Sequence, residues 1–224
     1  MSEFTYAKIS VTGADAFEFL QAQLTADLNI LRSAAEITSV RSAWCNPKGR
    51  VICIPTVSKL DNGYELSLPA DLADLVVQKM TLFRFRSKVE FEVQPGRTMD
   101  AATAAQQIRE GVPEIALAQS EKFTAHMLNL DLLGIVSLDK GCYPGQEIVA
   151  RTHYRGVSKR RCMRFRGNIP AAPGDKISDS DREIGEVVNA IGNDLLAVIP
   201  VASANSVLAI GTDRLTPVGL PYAL

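Results

Sequence analysis

The residues with the clearest chemical potential lie in one short segment, Lys140 to Glu147, which reads KGCYPGQE. This segment places a thiol, Cys142, in a glycine-flanked loop directly before a predicted helix. Pro144 suits the first position of a helix, and Glu147 falls in its first turn, where negative charge is favoured. A helix N-terminus and a neighbouring lysine both lower the pKa of a thiol, so the pattern predicts a reactive Cys142. The alternative is a small structural cysteine in a tight turn.

The charged residues around this thiol admit two interpretations. Lys140 could hold an anion or tune the thiol, or it could simply be solvated. Glu147 could be a functional carboxylate, or a helix-start charge that pairs with Arg151. From Lys140 to Arg166 the chain has eight basic residues and one acidic residue, although its net charge is −1. This asymmetry predicts a positive field suited to an anionic ligand or RNA, and the alternative is a solvated strand face.

The rest of the composition is typical of a globular protein. The chain has 224 residues, of which 46% are hydrophobic, and no apolar run approaches the roughly 18 residues that a membrane helix needs. The N-terminus lacks the pattern of a signal peptide, so we expect a cytoplasmic protein with reduced thiols and no membrane contact. The wide spacing of cysteines and histidines indicates no permanent metal site, and both histidines are interpreted as structural or surface residues. These residues are Cys45, Cys53, Cys142, Cys162, His126 and His153.

Hydrophobic periodicity in the first part of the chain predicts strands that alternate with amphipathic helices. A hairpin turn is expected at Asp61-Asn62-Gly63. The order of elements predicts a mixed sheet with helices on one face. The predicted strands are residues 6–11, 50–57, 64–68 and 87–93, and the predicted helices are residues 14–28 and 70–83.

The pattern changes in the middle of the chain and again near its end. Gln94-Pro95-Gly96 is expected to break the chain before a short helix at residues 100–109. After about Val157, short strands alternate with glycine-containing turns, which predicts a small antiparallel barrel. We therefore expect an α/β region at residues 1–156 and a barrel at residues 157–224.

Several motifs together resemble a known family. The segment around Cys142 is the most specific of them, and matching motifs precede and follow it in the same order, so that the resemblance covers most of the chain. The motifs are similar to those of the YgfZ-type folate-binding proteins, which are relatives of the glycine-cleavage T-protein. They are residues 140–147, Ala150-Arg151, Tyr154-Arg155-Gly156, residues 19–27, residues 44–51 and Leu128-Asn129-Leu130.

The resemblance implies an α+β fold, in which T-protein-like mixed α/β modules are closed by a C-terminal antiparallel β-barrel around a folate-sized channel. It implies a non-enzymatic accessory protein that binds tetrahydrofolate and supports the assembly or repair of iron–sulfur enzymes, one of which modifies tRNA. The implied partners are a folate-type small molecule, iron–sulfur client enzymes or assembly proteins and, indirectly, tRNA.

In this interpretation Cys142 is the functional thiol, assisted by Lys140 and Glu147. For the aromatic residues among the candidate ligand-binding residues, the alternative is a place in the core, and for the arginines it is a solvated surface. The candidate ligand-binding residues are Tyr6, Trp44, Asn129, Tyr143, Gln146, Arg151 and Arg155.

Three departures from the family pattern affect what the resemblance implies. The chain is shortened around residues 93–108, so one wall of the channel could be missing. The strand at residues 51–55 lacks the carboxylate that T-proteins use in aminomethyl transfer, which argues against that reaction. Arg109 stands where relatives often carry a pteridine-binding glutamate. A folate-dependent aminomethyltransferase and a tRNA-binding module are the alternative functions.

Overall fold

The computed structural model describes residues 5–34, 36–156, 158–180 and 182–224. Its N-terminal part combines short helices with seven strands. In chain order these elements are β1 (Thr5–Thr12), α1 (Ala16–Gln23), α2 (Ile30–Ser33), β2 (Ser39–Arg41), β3 (Trp44–Cys45), β4 (Val51–Cys53), β5 (Thr56–Leu60), β6 (Gly63–Pro69), α3 (Ala73–Arg84), β7 (Glu90–Thr98) and α4 (Ala101–Glu110).

Five of these strands form one sheet in the order β2-β5-β6-β1-β7. Its pairings are all antiparallel, rather than the mixed arrangement that the order of elements suggested. The pairing of Leu60 with Gly63 confirms the predicted hairpin. Alternate residues of β1, including Ile9 and Val11, are buried in a core shared with α1 and α3, whereas the residues between them are only partly buried. The sheet therefore has one apolar face in the core and one polar face.

Two predicted elements are shorter than the sequence suggested. Helix α1 ends at Gln23 because Leu24 takes an extended conformation and forms a β-bridge with Trp44. The strand predicted at residues 50–57 is divided into β4 and β5 by Pro55, which cannot donate a hydrogen bond to a neighbouring strand. The carbonyl oxygen of Pro55 instead accepts a hydrogen bond from the amide of Ser42 at 3.0 Å.

Strand β7 is longer than predicted, because it continues through the tripeptide that was expected to break the chain. Pro95 pairs with Ala7 of β1, and the register shifts between Thr5 and Ala7. Since β7 lies at the edge of the sheet, a proline there removes no hydrogen bond between paired strands on its open side. The tripeptide Gln94-Pro95-Gly96 therefore marks a sheet edge and not a chain break.

The structure confirms the helix predicted at residues 100–109 as α4. Asp100 caps it by accepting a hydrogen bond from the amide of Thr103 at 2.7 Å, and Gly111 ends it in the left-handed conformation. An irregular stretch, broken by one short 3₁₀ turn at Leu117–Gln119, leads to α5 (Gln146–Arg155). The expected helix start at Pro144 is wrong, because the left-handed conformation of Gly145 (φ 80°) delays the helix to Gln146.

The C-terminal part is a nearly closed, seven-stranded antiparallel sheet, which confirms the predicted barrel. Its interior is a separate apolar cluster that includes Met163, Phe165 and Leu195. The boundary expected at Val157 lies outside the described residues. The strands, which run in the order β13-β12-β9-β10-β11-β8-β14, are β8 (Arg160–Arg166), β9 (Lys176–Asp179), β10 (Arg182–Ile191), β11 (Asp194–Pro200), β12 (Leu208–Ile210), β13 (Asp213–Arg214) and β14 (Thr216–Val218).

The barrel also contributes to the core of the N-terminal part. Cys162, Leu196 and Val198 belong to the same apolar cluster as α1 and the five-stranded sheet. Asn189 of β10 accepts a hydrogen bond from the amide of Glu114 at 2.8 Å and donates one to its carbonyl oxygen at 3.0 Å. Within the described ranges, the helices are too short or too polar to cross a lipid bilayer.

Candidate functional site

The loop that carries Cys142, residues 140–147, is held by a turn from the N-terminal part; we call it the thiol loop. A Cβ atom on Gly145 would lie 2.6 Å from the carbonyl oxygen of Asn46 and 2.8 Å from the Cα atom of Gly49. Glycine is therefore needed both for this close approach and for the positive φ. Two of the motifs that carried the resemblance thus pack directly against each other.

Cys142 is the one exposed cysteine of the four in the chain. It lines an open cleft of about 480 Å³ together with Pro47, Tyr143, Gln146 and Glu147. Tyr143 is buried beneath the cleft and donates a hydrogen bond from its hydroxyl to the carbonyl oxygen of Ser137 at 3.2 Å. The cleft thus brings together four of the predicted site residues.

The other three thiols are buried, and their pKa values are raised. Burial raises the pKa of Cys45 and of Cys162 to about 12, and it raises the pKa of Cys53 as well. A thiol that stays protonated is a poor nucleophile and a poor metal ligand. Cys142 is therefore the one thiol of the four that a reagent can reach in the folded protein.

Lys140 does not direct its ammonium group at a ligand or at the thiol, which corrects the role expected for it. Its Nζ atom donates hydrogen bonds to the backbone carbonyl oxygens of Gln21, Leu24 and Ala26. Burial lowers the pKa of Lys140 to about 8, and the charge of Asp27 opposes this shift. Lys140 therefore fastens the thiol loop to the C-terminal end of α1, where unpaired carbonyl groups favour a cation.

The charged face of α5 is open to solvent. Glu147 forms the expected ion pair with Arg151, and both side chains are more than half exposed. With Tyr154 and Arg155 they line a shallow depression beside the thiol cleft. An exposed ion pair of this kind contributes little stability, so these side chains are free to meet a ligand or a partner.

A cavity of about 600 Å³ lies on the polar face of the five-stranded sheet, and its lining was only partly expected. We call it the polar groove. Tyr6 lines it, as predicted for a ligand-binding residue, and β7 and α4 form its other wall. The lining residues used below are Tyr6, Lys8, Arg41, Glu65, Arg97 and Glu114.

Glu114 is the residue of the polar groove that the sequence analysis missed. Its side chain is 5% exposed, and its Oε2 atom accepts hydrogen bonds from the hydroxyl of Tyr6 at 2.7 Å and from Nη2 of Arg41 at 3.2 Å. Its Oε1 atom is buried and has no hydrogen-bond partner within the described residues. Burial raises the pKa of this carboxyl group, whereas Arg41 and the Tyr6 hydrogen bond lower it.

The groove therefore holds a desolvated carboxylate with one oxygen available. A buried polar atom without a partner costs free energy, and a ligand that donates a hydrogen bond removes that cost. The sequence signal for Glu114 is a single acidic residue between Pro113 and the apolar stretch Ile115-Ala116-Leu117.

Two predicted ligand-binding residues have structural roles instead. Trp44 is fully buried, where it packs edge-on against Phe83 and donates a hydrogen bond to Oε1 of Gln23 at 3.3 Å. Asn129 is also fully buried and donates a hydrogen bond from Nδ2 to the carbonyl oxygen of Cys162 at 2.7 Å. Neither side chain is accessible to a ligand, because each is enclosed by the core that it helps to assemble.

Part of the basic segment forms ion pairs within the protein. Arg161 forms two hydrogen bonds with the carboxylate of Asp131, and Arg164 and Arg166 both pair with Asp194. Arg161 and Arg164 are mostly buried in these pairs, whereas Arg166 is 57% exposed. The two carboxylates therefore offset only part of the positive charge expected from the sequence.

Strand β4, where T-proteins were expected to carry a catalytic carboxylate, is entirely apolar. Val51, Ile52 and Cys53 are all buried. The strand thus offers no group that could steer an amine during aminomethyl transfer.

Comparison with known proteins shows what the chain is similar to. No protein-family model matches the chain. A tRNA-modifying protein YgfZ from Yersinia pestis is 27% identical, with 98% of this chain and 91% of the relative aligned. The chain is thus similar to a YgfZ-type protein over nearly its whole length. An uncharacterised protein from Haemophilus influenzae is 24% identical to this chain, with 92% of this chain and 91% of that protein aligned.

Structural comparison supports the fold of the chain. The crystal structure of the glycine cleavage system aminomethyltransferase T from Bartonella henselae matches it with a TM-score of 0.71 at 13% identity. The match covers 96% of this chain and 83% of the aminomethyltransferase. The alignment with the Yersinia relative extends over 304 positions, although this chain has 224 residues. The chain is therefore shorter than this Yersinia relative.

Proposed function

We propose that this YgfZ-type protein binds tetrahydrofolate in the polar groove and uses the Cys142 thiol in the cytoplasm to support assembly or repair of iron–sulfur enzymes. Through such client enzymes or assembly proteins it supports tRNA modification, as the name of the Yersinia relative suggests. The observation that carries the folate assignment is the buried Glu114 carboxylate with its unpaired Oε1 atom. The protein acts as an accessory factor, since the strand that would carry the transferase carboxylate is apolar.

The chemistry of Glu114 suits the pteridine ring of folate. A pteridine presents N–H donors along one edge, and the Oε1 atom of Glu114 accepts one of them while Oε2 stays bonded to Tyr6 and Arg41. Tyr6, already bonded to Glu114, provides an aromatic side chain next to the same position. The cavity of about 600 Å³ is within the range of ligand sites, roughly 300–1,000 Å³. Glu114 thus supplies the carboxylate that Arg109 cannot.

The remaining part of folate, its glutamate tail, is anionic. Lys8 and Arg97 line the same groove, although Lys8 also forms an ion pair with Glu65. Cations on the groove wall favour carboxylates over neutral ligands. The proposed pose therefore places the ring at Glu114 and the tail toward these side chains.

Isothermal titration calorimetry with 5-formyltetrahydrofolate, an air-stable folate, tests this site. The wild-type protein should show saturable binding, and Glu114→Gln should weaken it about tenfold or more, because the amide loses one acceptor and the charge. Glu186→Gln is the matched control, since Glu186 is also mostly buried but lies on β10 outside the groove lining. Equal affinity in wild type and Glu114→Gln would refute the assignment.

The thiol part of the proposal rests on Cys142. An exposed thiol beside a helix N-terminus can hold an iron atom for a short time or react with an oxidised partner thiol. The open cleft around it leaves room for a protein partner. The buried thiols cannot take this role without unfolding.

Complementation tests the thiol. Cys142→Ala and Cys142→Ser should both fail to restore an iron–sulfur-dependent tRNA modification in cells that lack the protein, while their folate affinity stays at the wild-type value. Gly141→Ala, which meets no atom within 4 Å, is the control for a neutral change in the same loop and should restore it. Full rescue by Cys142→Ala would exclude a functional thiol.

A further inference from the structure

Two histidines and an aspartate meet at one place between the irregular middle segment and α5. Each of His126, Asp131 and His153 offers a potential ligand atom, and these atoms all lie within 4.8 Å of one another. The three side chains line a cavity of about 200 Å³ whose wall also includes Ser137 and Asp139. None of them lines the polar groove or the thiol cleft.

The imidazole of His126 is poised as a ligand. Its side chain is 4% exposed, and within the described part of the chain its Nε2 atom has no hydrogen-bond partner. The nearest carboxylate oxygen, Oδ2 of Asp131, is 3.8 Å away, which is too long for a hydrogen bond. A buried ring nitrogen without a partner costs free energy, and a bound metal ion would satisfy it.

The carboxylate of Asp131 is fixed in place by Arg161. The guanidinium group donates to Oδ1 at 2.7 Å and to Oδ2 at 3.0 Å, and it also donates to the backbone carbonyl oxygen of His126 at 3.0 Å. Each carboxylate oxygen has two acceptor positions, so both remain able to coordinate a cation. Arg161 therefore positions two of the three residues, while its charge limits the affinity for a metal ion.

From this geometry we propose that His126, Asp131 and His153 form a binding site for a divalent transition-metal ion of the zinc class. Two imidazoles and one carboxylate form a ligand set used by zinc and by iron(II), and they leave coordination positions open. Ligand atoms bonded at about 2.1 Å around a tetrahedral ion are roughly 3.4 Å apart. The 3.8 Å between Nε2 of His126 and Oδ2 of Asp131 is close to that spacing, and His153 completes the set from the exposed face of α5.

The imidazole of His126 is not held in a close ion pair, since Oδ2 of Asp131 is 3.8 Å from its Nε2 atom. Burial lowers the pKa of His126, Arg161 and His153 lower it further, and Asp131 opposes these effects. A neutral imidazole is the form that coordinates metal ions. The sequence analysis expected no metal site, because these residues are far apart along the chain and only the fold brings them together.

Titration of chelator-treated protein with Zn²⁺, and with Co²⁺ followed by visible absorption, tests the site. The wild-type protein should bind one equivalent, and His153→Ala should weaken binding about tenfold or more without unfolding, because this side chain is exposed. Asp131→Asn should weaken it as well. Circular dichroism will verify that each variant is folded.

Two variants separate this site from other exposed ligands nearby. Cys142→Ser and Glu147→Gln should keep the wild-type affinity and the same cobalt spectrum. The proposal is overturned if no saturable binding occurs, if His153→Ala binds as tightly as wild type, or if Cys142→Ser abolishes binding. These outcomes are independent of folate binding, which depends on Glu114.

Discussion

At the scale of single residues, Cys142 is distinguished by its exposure. Iodoacetamide should therefore alkylate one thiol per native chain and four in a denatured chain, as measured by intact mass. Cys142→Ser should take up none in the native state. Modification of a second thiol in the native wild-type protein would contradict the burial of Cys45, Cys53 and Cys162.

Glu114 should affect how the free energy of unfolding depends on pH. Because burial raises its pKa above the ordinary value of 4.5, the folded protein keeps a proton that the unfolded chain has already released just above that pH. The free energy of unfolding should therefore fall as the pH rises through this interval. In Glu114→Gln the decline should be absent, as measured by urea denaturation at several pH values.

Glu186 provides a control of opposite sign for that measurement. Burial raises its pKa, but hydrogen bonds from Lys176 and Lys122 hold the pKa below its ordinary value. This group contributes stability above that value and loses it as the pH falls. Glu186→Gln should therefore remove a rise in stability below pH 4.5 and leave the decline above it, attributed to Glu114, unchanged. Loss of that decline in Glu186→Gln would contradict the assigned directions.

The site could be predicted from the sequence only where its residues are close together along the chain. The thiol loop was found because its glycines, proline and acidic residue form one local pattern. Glu114 and Arg41 were missed because they lie 73 positions apart, and neither flanking sequence is distinctive. Trp44 was misassigned because a motif places a residue along the chain but does not show which way its side chain points.

At the scale of elements, Gly145 determines where α5 begins. Gly145→Ala should destabilise the protein by about 2 kcal/mol or more, because its Cβ atom would meet the backbone of residues 46 and 49 and its φ is positive. Gly141→Ala, four positions earlier, should be nearly neutral, since a Cβ atom there contacts nothing within 4 Å. Chemical denaturation of both variants provides the comparison. Equal stability of the two would contradict the packing of the thiol loop.

Most elements could be predicted from periodicity and turn residues, and the errors have local causes. Helix α1 carries apolar residues at helical spacing beyond Gln23, yet tertiary pairing with Trp44 extends the chain there. Pro95 suggested a break, but a proline is acceptable in the edge strand β7. Whether a strand is central or at an edge depends on topology, which the local sequence does not contain.

At the scale of the whole molecule, Asn189 joins the barrel to the N-terminal part. Asn189→Ala should cost about 3 kcal/mol of unfolding free energy, because it leaves a buried amide and a buried carbonyl of Glu114 without partners. Asn193→Ala, in an exposed turn of the barrel, should change stability by less than about 0.5 kcal/mol. A cost below 1 kcal/mol for Asn189→Ala would mean that the two parts are held together by other contacts.

The overall architecture could be predicted from the sequence, whereas the contacts between its two parts could not. The order of elements predicted an α/β region and a barrel, and the structural match to an aminomethyltransferase confirms that fold. The continuous core between the two parts was not foreseen, since Cys162 and Val198 lie on barrel strands whose apolar residues alternate between two environments. A period of two residues shows that a strand has two faces, but not what covers each face.

The bonds from Lys140 to the carbonyl groups of Gln21 and Ala26 connect residues 119 and 114 positions apart. During synthesis on the ribosome, α1 emerges long before Lys140 does. The thiol loop can therefore reach its final conformation only after α1 has formed. A chain in which Lys140 has not yet bonded to the end of α1 contains the Cys142 thiol but not the folded thiol loop. The position of the Cys142 thiol in the folded protein thus depends on two segments that are more than 110 residues apart along the chain.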